Sequence, residues 1–100
     1  MPRTYTKLEL LNEVKRILAD MLGRDRYLSI YGDLSLRNRR SDDVEGLHIT
    51  PQGIRRLRNL INRFFRDHGV ILRSEHMRVA QFVSDLRDLI WDLLPPRYKA

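Results

Sequence analysis

Apolar residues recur at helical spacing in three stretches of this chain. The first stretch follows Thr6, which has the spacing of a capping box with Glu9. Seven apolar residues then form one wide arc: Leu10, Leu11, Val14, Ile17, Leu18, Met21 and Leu22. Gly23 is a natural end for a helix. This pattern predicts a helix over 7–22.

The second stretch, over 50–69, has the clearest start and end signals. Thr50 suits an N-cap, and Pro51 costs no hydrogen bond at the first helical position. Gly69 supplies the left-handed residue that ends many helices. One face collects Ile54, Leu57, Leu60, Ile61, Phe64 and His68. We predict that this is the central helix and that the other helices pack on it. Gly53 is expected to weaken it by about 1 kcal/mol relative to Ala.

The third stretch is an amphipathic pattern near the C-terminus. Ser74 can cap it, and the Pro95-Pro96 pair ends it. Its stripe consists of Val79, Phe82, Val83, Leu86, Leu89, Ile90 and Leu93. The steps of three and four predict one continuous helix of about four turns.

The connection over 24–49 allows two interpretations. Apolar residues alternate with polar ones over 27–36, which could be a hairpin that turns at Gly32-Asp33 or an ordered loop with apolar anchors. The segment 37–46 is polar with mixed charge, so we expect a mobile surface loop there.

Three helices and one long connection predict an all-α fold, a small bundle of three to four helices. The alternative is an α+β domain in which a hairpin separates the first two helices. The 100 residues suit a single domain, 1–100. We expect it to be ordered over about 6–94, with short flexible tails.

The composition adds a basic character. The formal net charge is +6, mostly from arginine, and there is no cysteine. Arginine suits bidentate contact with phosphate or carboxylate groups, so an acidic protein or nucleic acid is the expected partner. The N-terminus lacks the apolar core of a signal peptide, and no apolar run approaches a membrane span. We therefore expect a cytoplasmic protein that contacts no membrane.

Four segments share their order and apolar spacing with a known family. They are VKRILADMLG in the first helix, SIYGDLSL in the connection, LINRFFRDHGVIL at the end of the central helix, and MRVAQFVSDLRDLI near the C-terminus. Together they resemble the acyl carrier protein family. The resemblance covers roughly residues 10–92. It implies a carrier-like helical bundle with a long loop after the first helix, and a central helix that docks on partner enzymes.

The central helix departs from that family in two ways. The family has Asp-Ser-Leu there, and its serine carries 4′-phosphopantetheine, whereas residues 48–53 contain no serine. The nearest serine with acidic neighbours is Ser41, which would be the attachment residue of an atypical acyl or peptidyl carrier. The family's central helix is acidic and docks on basic enzymes, whereas this one is basic.

Basic residues on the central helix are the first candidate site. The arginine set consists of Arg55, Arg56, Arg58, Arg63 and Arg66, and no Asp or Glu lies between Thr50 and Arg66. Like charges at helical spacing repel one another, which favours an acidic protein partner or a phosphate ligand. A second basic group, Arg37, Arg39 and Arg40, lies near Tyr27 and Tyr31, and such mixtures can bind nucleic acid by stacking bases.

The remaining candidate residues predict neither a metal site nor a catalytic site. His48, His68 and His76 lack metal-ligand spacing, so no metal site is expected. Asp42, Asp43 and Glu45 lie in a polar segment where nothing would hold a general acid or base in place, so we expect no catalytic residues. Trp91 and Leu94 either finish the core or form an exposed patch through which a homodimer could assemble.

These patterns predict a non-enzymatic, carrier-like adaptor without a cofactor, which docks an acidic protein partner through the arginine set. Two alternatives remain open. One is a basic regulator that binds nucleic acid through the arginine set and Arg37, Arg39 and Arg40. The other is the atypical carrier with 4′-phosphopantetheine on Ser41.

Overall fold

The computed structural model describes residues 3–23, 30–37 and 46–100, with the backbone alone described at Arg37 and His48. In these residues the chain is mostly helical and forms a small all-α bundle, as predicted. Its helices are α1 (Lys7–Leu22), α2 (Pro51–Phe64), α3 (Ser74–Val79) and α4 (Val83–Leu93). Two short strands, β1 (Ser35–Arg37) and β2 (Gly46–Ile49), lie between α1 and α2. Short 3-10 turns follow α2 at Arg66–His68 and α4 at Pro96–Tyr98.

Helix α1 has the predicted bounds. The Thr6 hydroxyl accepts a hydrogen bond from the Glu9 amide at 3.1 Å, and the Glu9 carboxylate accepts one from the Thr6 amide at 3.0 Å. The inward residues of the arc, among them Leu10, Val14 and Leu18, are fully buried. Helix α1 packs mainly against α4 and, to a lesser extent, against α2.

The described part of the connection, 30–37, agrees with the ordered loop rather than the hairpin, because Ile30, Leu34 and Leu36 are buried as apolar anchors. Gly32 and Asp33 make a turn, closed by the Leu34 amide that donates to the Tyr31 carbonyl at 3.2 Å. The strand after it, β1, does not fold back on residues 30–31 but pairs in parallel with β2. The first arm of the predicted hairpin, 27–29, and the predicted mobile loop, apart from its end residues Arg37 and Gly46, lie outside the described residues.

The predicted continuous last helix is wrong, because it is divided into α3 and α4. Ala80 and Phe82 have extended backbones, and Val79, predicted on the apolar stripe, is 68% exposed. Tertiary hydrogen bonds replace those of a helix here. The Leu36 amide donates to the Gln81 carbonyl, and residues 83 and 84 donate to the carbonyls of Leu34 and Gly32, at 2.8–3.0 Å. The Asp85 carboxylate also accepts from the amides of Gln81 and Phe82 at 2.8 and 2.9 Å, which starts α4.

Both ends of the chain are tied to each other, which differs from the predicted flexible tails. The Tyr5 amide donates to the Tyr98 carbonyl at 2.8 Å, and the Ala100 amide donates to the Tyr5 carbonyl at 2.8 Å. The Tyr5 and Tyr98 rings both meet the edge or face of the His68 ring, at centroid distances of 5.2 and 4.9 Å. Burial raises the pKa of the Tyr5 phenol. The termini therefore close one end of the bundle over His68.

Gly53 has a packing role that the propensity argument missed. A Cβ atom at this position would lie 2.6 Å from Cγ2 of Ile49, a buried β-branched side chain that cannot rotate away easily. We expect Gly53→Ala to lower the free energy of unfolding by roughly 1 kcal/mol, because the overpacking cost exceeds the gain in helix propensity. Urea denaturation measures the change. In an Ile49→Ala background the same substitution should become stabilising; a stabilising effect in the wild-type background would contradict the clash.

The capping box predicts a pH dependence. The pKa of the Glu9 carboxyl is lowered, chiefly by the hydrogen bond from the Thr6 amide. A lowered folded-state pKa means that this stabilisation is present above the unfolded value of about 4.3 and is lost as pH falls through the folded value. Denaturation midpoints between about pH 6 and pH 2.5 should therefore show the wild type losing stability relative to Glu9→Gln in acid. Glu75→Gln, which removes an exposed carboxylate from α3, is the control. Parallel wild-type and Glu9→Gln profiles would argue against the contribution.

Candidate basic binding surface

Helix α2 buries its apolar face in the core, which leaves its polar residues on the outer face. Its first turn is held by a capping residue. The Thr50 hydroxyl accepts from the Gly53 amide at 3.1 Å, and Pro51 occupies the first turn, which confirms the predicted cap. Ile54, Leu57 and Ile61 are buried in the core. The helix ends at Phe64, earlier than predicted, and Gly69 takes the left-handed conformation after the following 3-10 turn.

The arginine set divides into exposed and anchored members. Arg55, Arg56, Arg63 and Arg66 are exposed, and none of them forms an ion pair within the part of the chain that the structure describes. Arg58 is only partly exposed. Its Nη1 donates to the Ser74 hydroxyl at 2.8 Å, and its Nη2 lies 3.5 Å from Oδ1 of Asn59. The members of the predicted set therefore share a positive charge but differ in exposure and in hydrogen bonding.

Helical geometry also separates the set in direction. Arg58 and Arg63 are five residues apart, so their side chains leave α2 about 140° from each other. Arg55 and Arg58 border α3, whereas Arg63 borders α1. Arg56 borders neither neighbour. A single flat partner surface cannot contact all of these arginines in the same way.

A groove between α2 and α3, which we call the α2/α3 groove, has a volume of about 160 Å³. Arg55, Arg58 and Arg78 line it together with the Ser74 hydroxyl side chain. Its apolar lining comes from Pro51, Ile54 and Met77. None of these described lining residues is acidic. Arg78 and Ser74 belong to α3, and sequence reasoning did not place either of them at a binding site.

The flank towards α1 is different in character. A cleft of about 270 Å³ between α1 and α2 is lined by Ile17, Asp20, Leu60, Arg63 and Phe64. Phe64 was predicted on the buried face, yet it is 44% exposed. Its ring packs edge-to-face on the ring of Phe65 at a centroid distance of 4.8 Å. Phe65, not Phe64, is the residue that is buried in the core. This flank therefore offers an aromatic side chain beside an exposed arginine.

Other predicted site residues are not brought to this surface by the described structure. Arg37 is the last residue of β1, and only its backbone is described. Arg39, Arg40, Ser41, Tyr27 and the carboxylates of Asp42, Asp43 and Glu45 lie outside the described residues. Tyr31 is exposed. The second basic group and the attachment serine thus stay predictions.

His68 is a structural residue. It is buried, its Nε2 lies 3.0 Å from the Arg3 carbonyl oxygen, and three aromatic rings surround it. The described residues contain no group of three or more histidines or carboxylates arranged to hold a metal ion. In that same part of the chain, no helix is long and apolar enough to span a membrane.

Trp91 and Leu94 contribute to the core rather than to a bare patch. Leu94 is buried, and Trp91 is partly buried against the core. The ammonium groups of Lys7 and Lys99 lie 5.5 and 5.0 Å from the Trp91 ring centroid. The homodimer predicted through this side stays a prediction, with Leu94 unavailable to it.

Asn62 holds α3 beside α2, a role that a polar residue at the flank of a helix does not reveal by its spacing. Its side chain donates to the Leu72 carbonyl at 3.0 Å and accepts from the Leu72 amide at 2.7 Å. Leu72 is buried, so neither backbone group can readily turn to water. These two bonds fix the segment that leads into α3 and thereby position the α2/α3 groove.

We expect Asn62→Ala to lower the free energy of unfolding by about 1–3 kcal/mol, because it leaves both polar groups of Leu72 without their partner. Asn59→Ala, an exposed position on the same helix, should cost less than about 0.5 kcal/mol. Urea denaturation compares the two, and amide hydrogen exchange at Leu72 reports the local loosening. Equal costs for the two substitutions would show that the paired bonds do not hold this segment.

Comparisons of the chain with family models, with curated proteins and with solved structures find no match to it.

Proposed function

We propose that this protein is a non-enzymatic, carrier-like adaptor that docks an acidic protein partner through the arginine set. The observation that carries the proposal is the exposure of Arg55, Arg56, Arg63 and Arg66, none of which has an ion-pair partner among the described residues. Three arginines outside the set, Arg3, Arg16 and Arg87, pair with Glu9, Glu13 and Asp88. What distinguishes α2 is that its unpaired arginines occur together on one helix that contains no acidic residue.

The chemistry of the surrounding surface favours a protein over nucleic acid. Arginine and aromatic side chains are enriched at protein interfaces, and an apolar cleft beside a charged residue suits a folded partner. Phe64 and Leu60 provide that apolar contact next to Arg63. A single-stranded nucleic acid would need several aromatic rings on which successive bases stack, and Phe64 is the one aromatic residue among those that line this cleft. Duplex DNA is bound mainly through its phosphates and would gain little from the apolar lining.

The helical scaffold supports the carrier-like part of the proposal. The resemblance to acyl carrier proteins implies a first helix, a long connection, a central helix and a last helix, and the described elements follow that order. In that family the central helix is the docking helix. A basic α2 would dock by the same geometry with the charges inverted, so its partner would carry the carboxylates.

The test is affinity capture with two variants of equal net charge. Arg56→Gln, Arg63→Gln and Arg66→Gln together remove three exposed charges from the docking surface. Arg16→Gln, Arg87→Gln and Arg97→Gln together remove three from elsewhere. Each triple variant takes the formal net charge from +6 to +3, which is six minus three. We expect a protein with an acidic surface to be retained, after nuclease treatment, by the wild type and the control triple variant only.

Isothermal titration with that purified partner then measures the effect. The docking-surface variant should raise Kd at least tenfold, which corresponds to about 1.4 kcal/mol of binding free energy. An equal Kd for both triple variants would reject docking through these arginines. Retention of nucleic acid instead, lost at high salt, would favour the regulator. A mass increase of one phosphopantetheine on Ser41, after co-expression with a phosphopantetheinyl transferase, would favour the atypical carrier.

A further inference from the structure

The α2/α3 groove has features that a general docking surface does not need. Three arginines, Arg55, Arg58 and Arg78, line one small groove together with Ser74. Its volume of about 160 Å³ is roughly ten times what a single water molecule requires, so a tetrahedral anion fits. Glu75, the acidic residue next to Ser74 in α3, is exposed and is not among the lining residues of the groove.

Arg58 is held in place before any ligand arrives. Its Nη1 donates to the Ser74 hydroxyl at 2.8 Å, which ties the guanidinium of α2 to the first residue of α3. Its Nε is buried and has no hydrogen-bond acceptor among the described residues. A buried donor without an acceptor costs about 1–3 kcal/mol. Natural proteins satisfy most such groups, so an acceptor oxygen from a ligand that reaches this donor would remove that cost.

The charge of the groove selects the kind of anion. The three arginines that line the groove carry like charges, which repel one another, and a single carboxylate would balance only one of them. A phosphate monoester carries nearly two negative charges at neutral pH and three strong acceptor oxygens. Arginine matches it better than lysine does, because the planar guanidinium donates two parallel hydrogen bonds to neighbouring oxygens.

We propose that the α2/α3 groove is a binding site for a phosphate monoester, held by Arg55, Arg58 and Arg78 with the Ser74 hydroxyl. The monoester belongs either to a phosphorylated side chain of a protein or to a free phosphorylated metabolite, since both present the same group. The apolar floor of Ile54 and Met77 would contact the carbon atoms that carry the phosphate. Arg55 and Arg58 belong both to the arginine set and to the groove, whereas Arg78 and Ser74 belong to the groove alone. Partner docking is tested at Arg56, Arg63 and Arg66, which do not line the groove, so failure of one proposal is distinguishable from failure of the other.

Nuclear magnetic resonance of the full chain tests the site directly. N-acetyl phosphoserine amide, inorganic phosphate and acetate are titrated separately at low salt. We expect saturable shifts of the amides of Ser74 and Arg78 and of the Arg58 Nε–H with both phosphates, and at least tenfold weaker binding of acetate. Phosphoserine affinity should rise from pH 5 to pH 7.5, because its second proton leaves near pH 6. Acetate binding as tight as phosphate binding would overturn the proposal.

Single substitutions separate the site from general electrostatic attraction. Arg78→Gln removes a charge from the groove, and Arg58→Lys keeps the charge but loses the planar fork. Each should weaken phosphoserine binding about tenfold. Arg97→Gln, an exposed arginine outside both the groove and the arginine set, is the matched control and should change it less than twofold. If Arg97→Gln were as harmful as Arg78→Gln, the groove would have no special role.

Two arms complete the design. Ser74→Ala leaves all charges in place and should weaken phosphoserine binding about threefold. It remains informative if Arg58→Lys does not fold. Unchanged affinity in both Ser74→Ala and Arg78→Gln would reject the site.

An acidic peptide with one phosphoserine identifies the source of the phosphate group. Affinity at least tenfold above that of N-acetyl phosphoserine amide assigns the site to a phosphorylated protein, and equal affinity assigns it to a free metabolite. Absence of saturable shifts with every phosphate probe would overturn the proposal.

Discussion

Backbone hydrogen bonds between residues 32–36 and 81–84 separate α3 from α4, and the rest of the structure depends on that separation. A helix that continued through Ala80 would carry its own hydrogen bonds and would leave the polar groups of Leu34 and Leu36 unpaired in the core. The exchange costs little, because each lost helical bond is replaced by a tertiary one. It also anchors the connection after α1, whose residues Ile30, Leu34 and Leu36 are buried.

The separation gives α3 its own position beside α2. With only six residues, α3 cannot be stable alone, so its place is set by neighbours. Asn62 binds the backbone before it, the Arg58 guanidinium binds its first residue, and Met77 packs into the core. The same contacts that hold α3 therefore form the walls of a basic groove. Arg58 therefore contributes both to the packing of α3 and to the groove, and it is the least exposed member of the arginine set.

The arginine set contributes to two surfaces, which differ in the exposure and ordering of their side chains. The exposed arginines have high side-chain entropy and strong screening by salt, so they suit steering and reversible docking. The groove arginines line one small space, and Arg58 is already oriented by Ser74, so they suit recognition of a compact anion. An adaptor with both could require two features of its partner, an acidic surface and a phosphate group.

Local patterns determined most of the helical framework. The capping box at Thr6, the Thr50-Pro51 start and the apolar spacing set α1 and the start of α2, because these signals act within one or two turns. The positive charge of α2 also follows directly from its sequence. Tertiary structure decided the rest. The break at residues 80–82, the close approach of Gly53 to Ile49, the burial of His68 between the joined ends and the meeting of Arg58 with Ser74 all involve partners far apart in sequence or backbone directions that periodicity does not encode. No spacing rule reports such contacts, since each depends on how already formed helices pack.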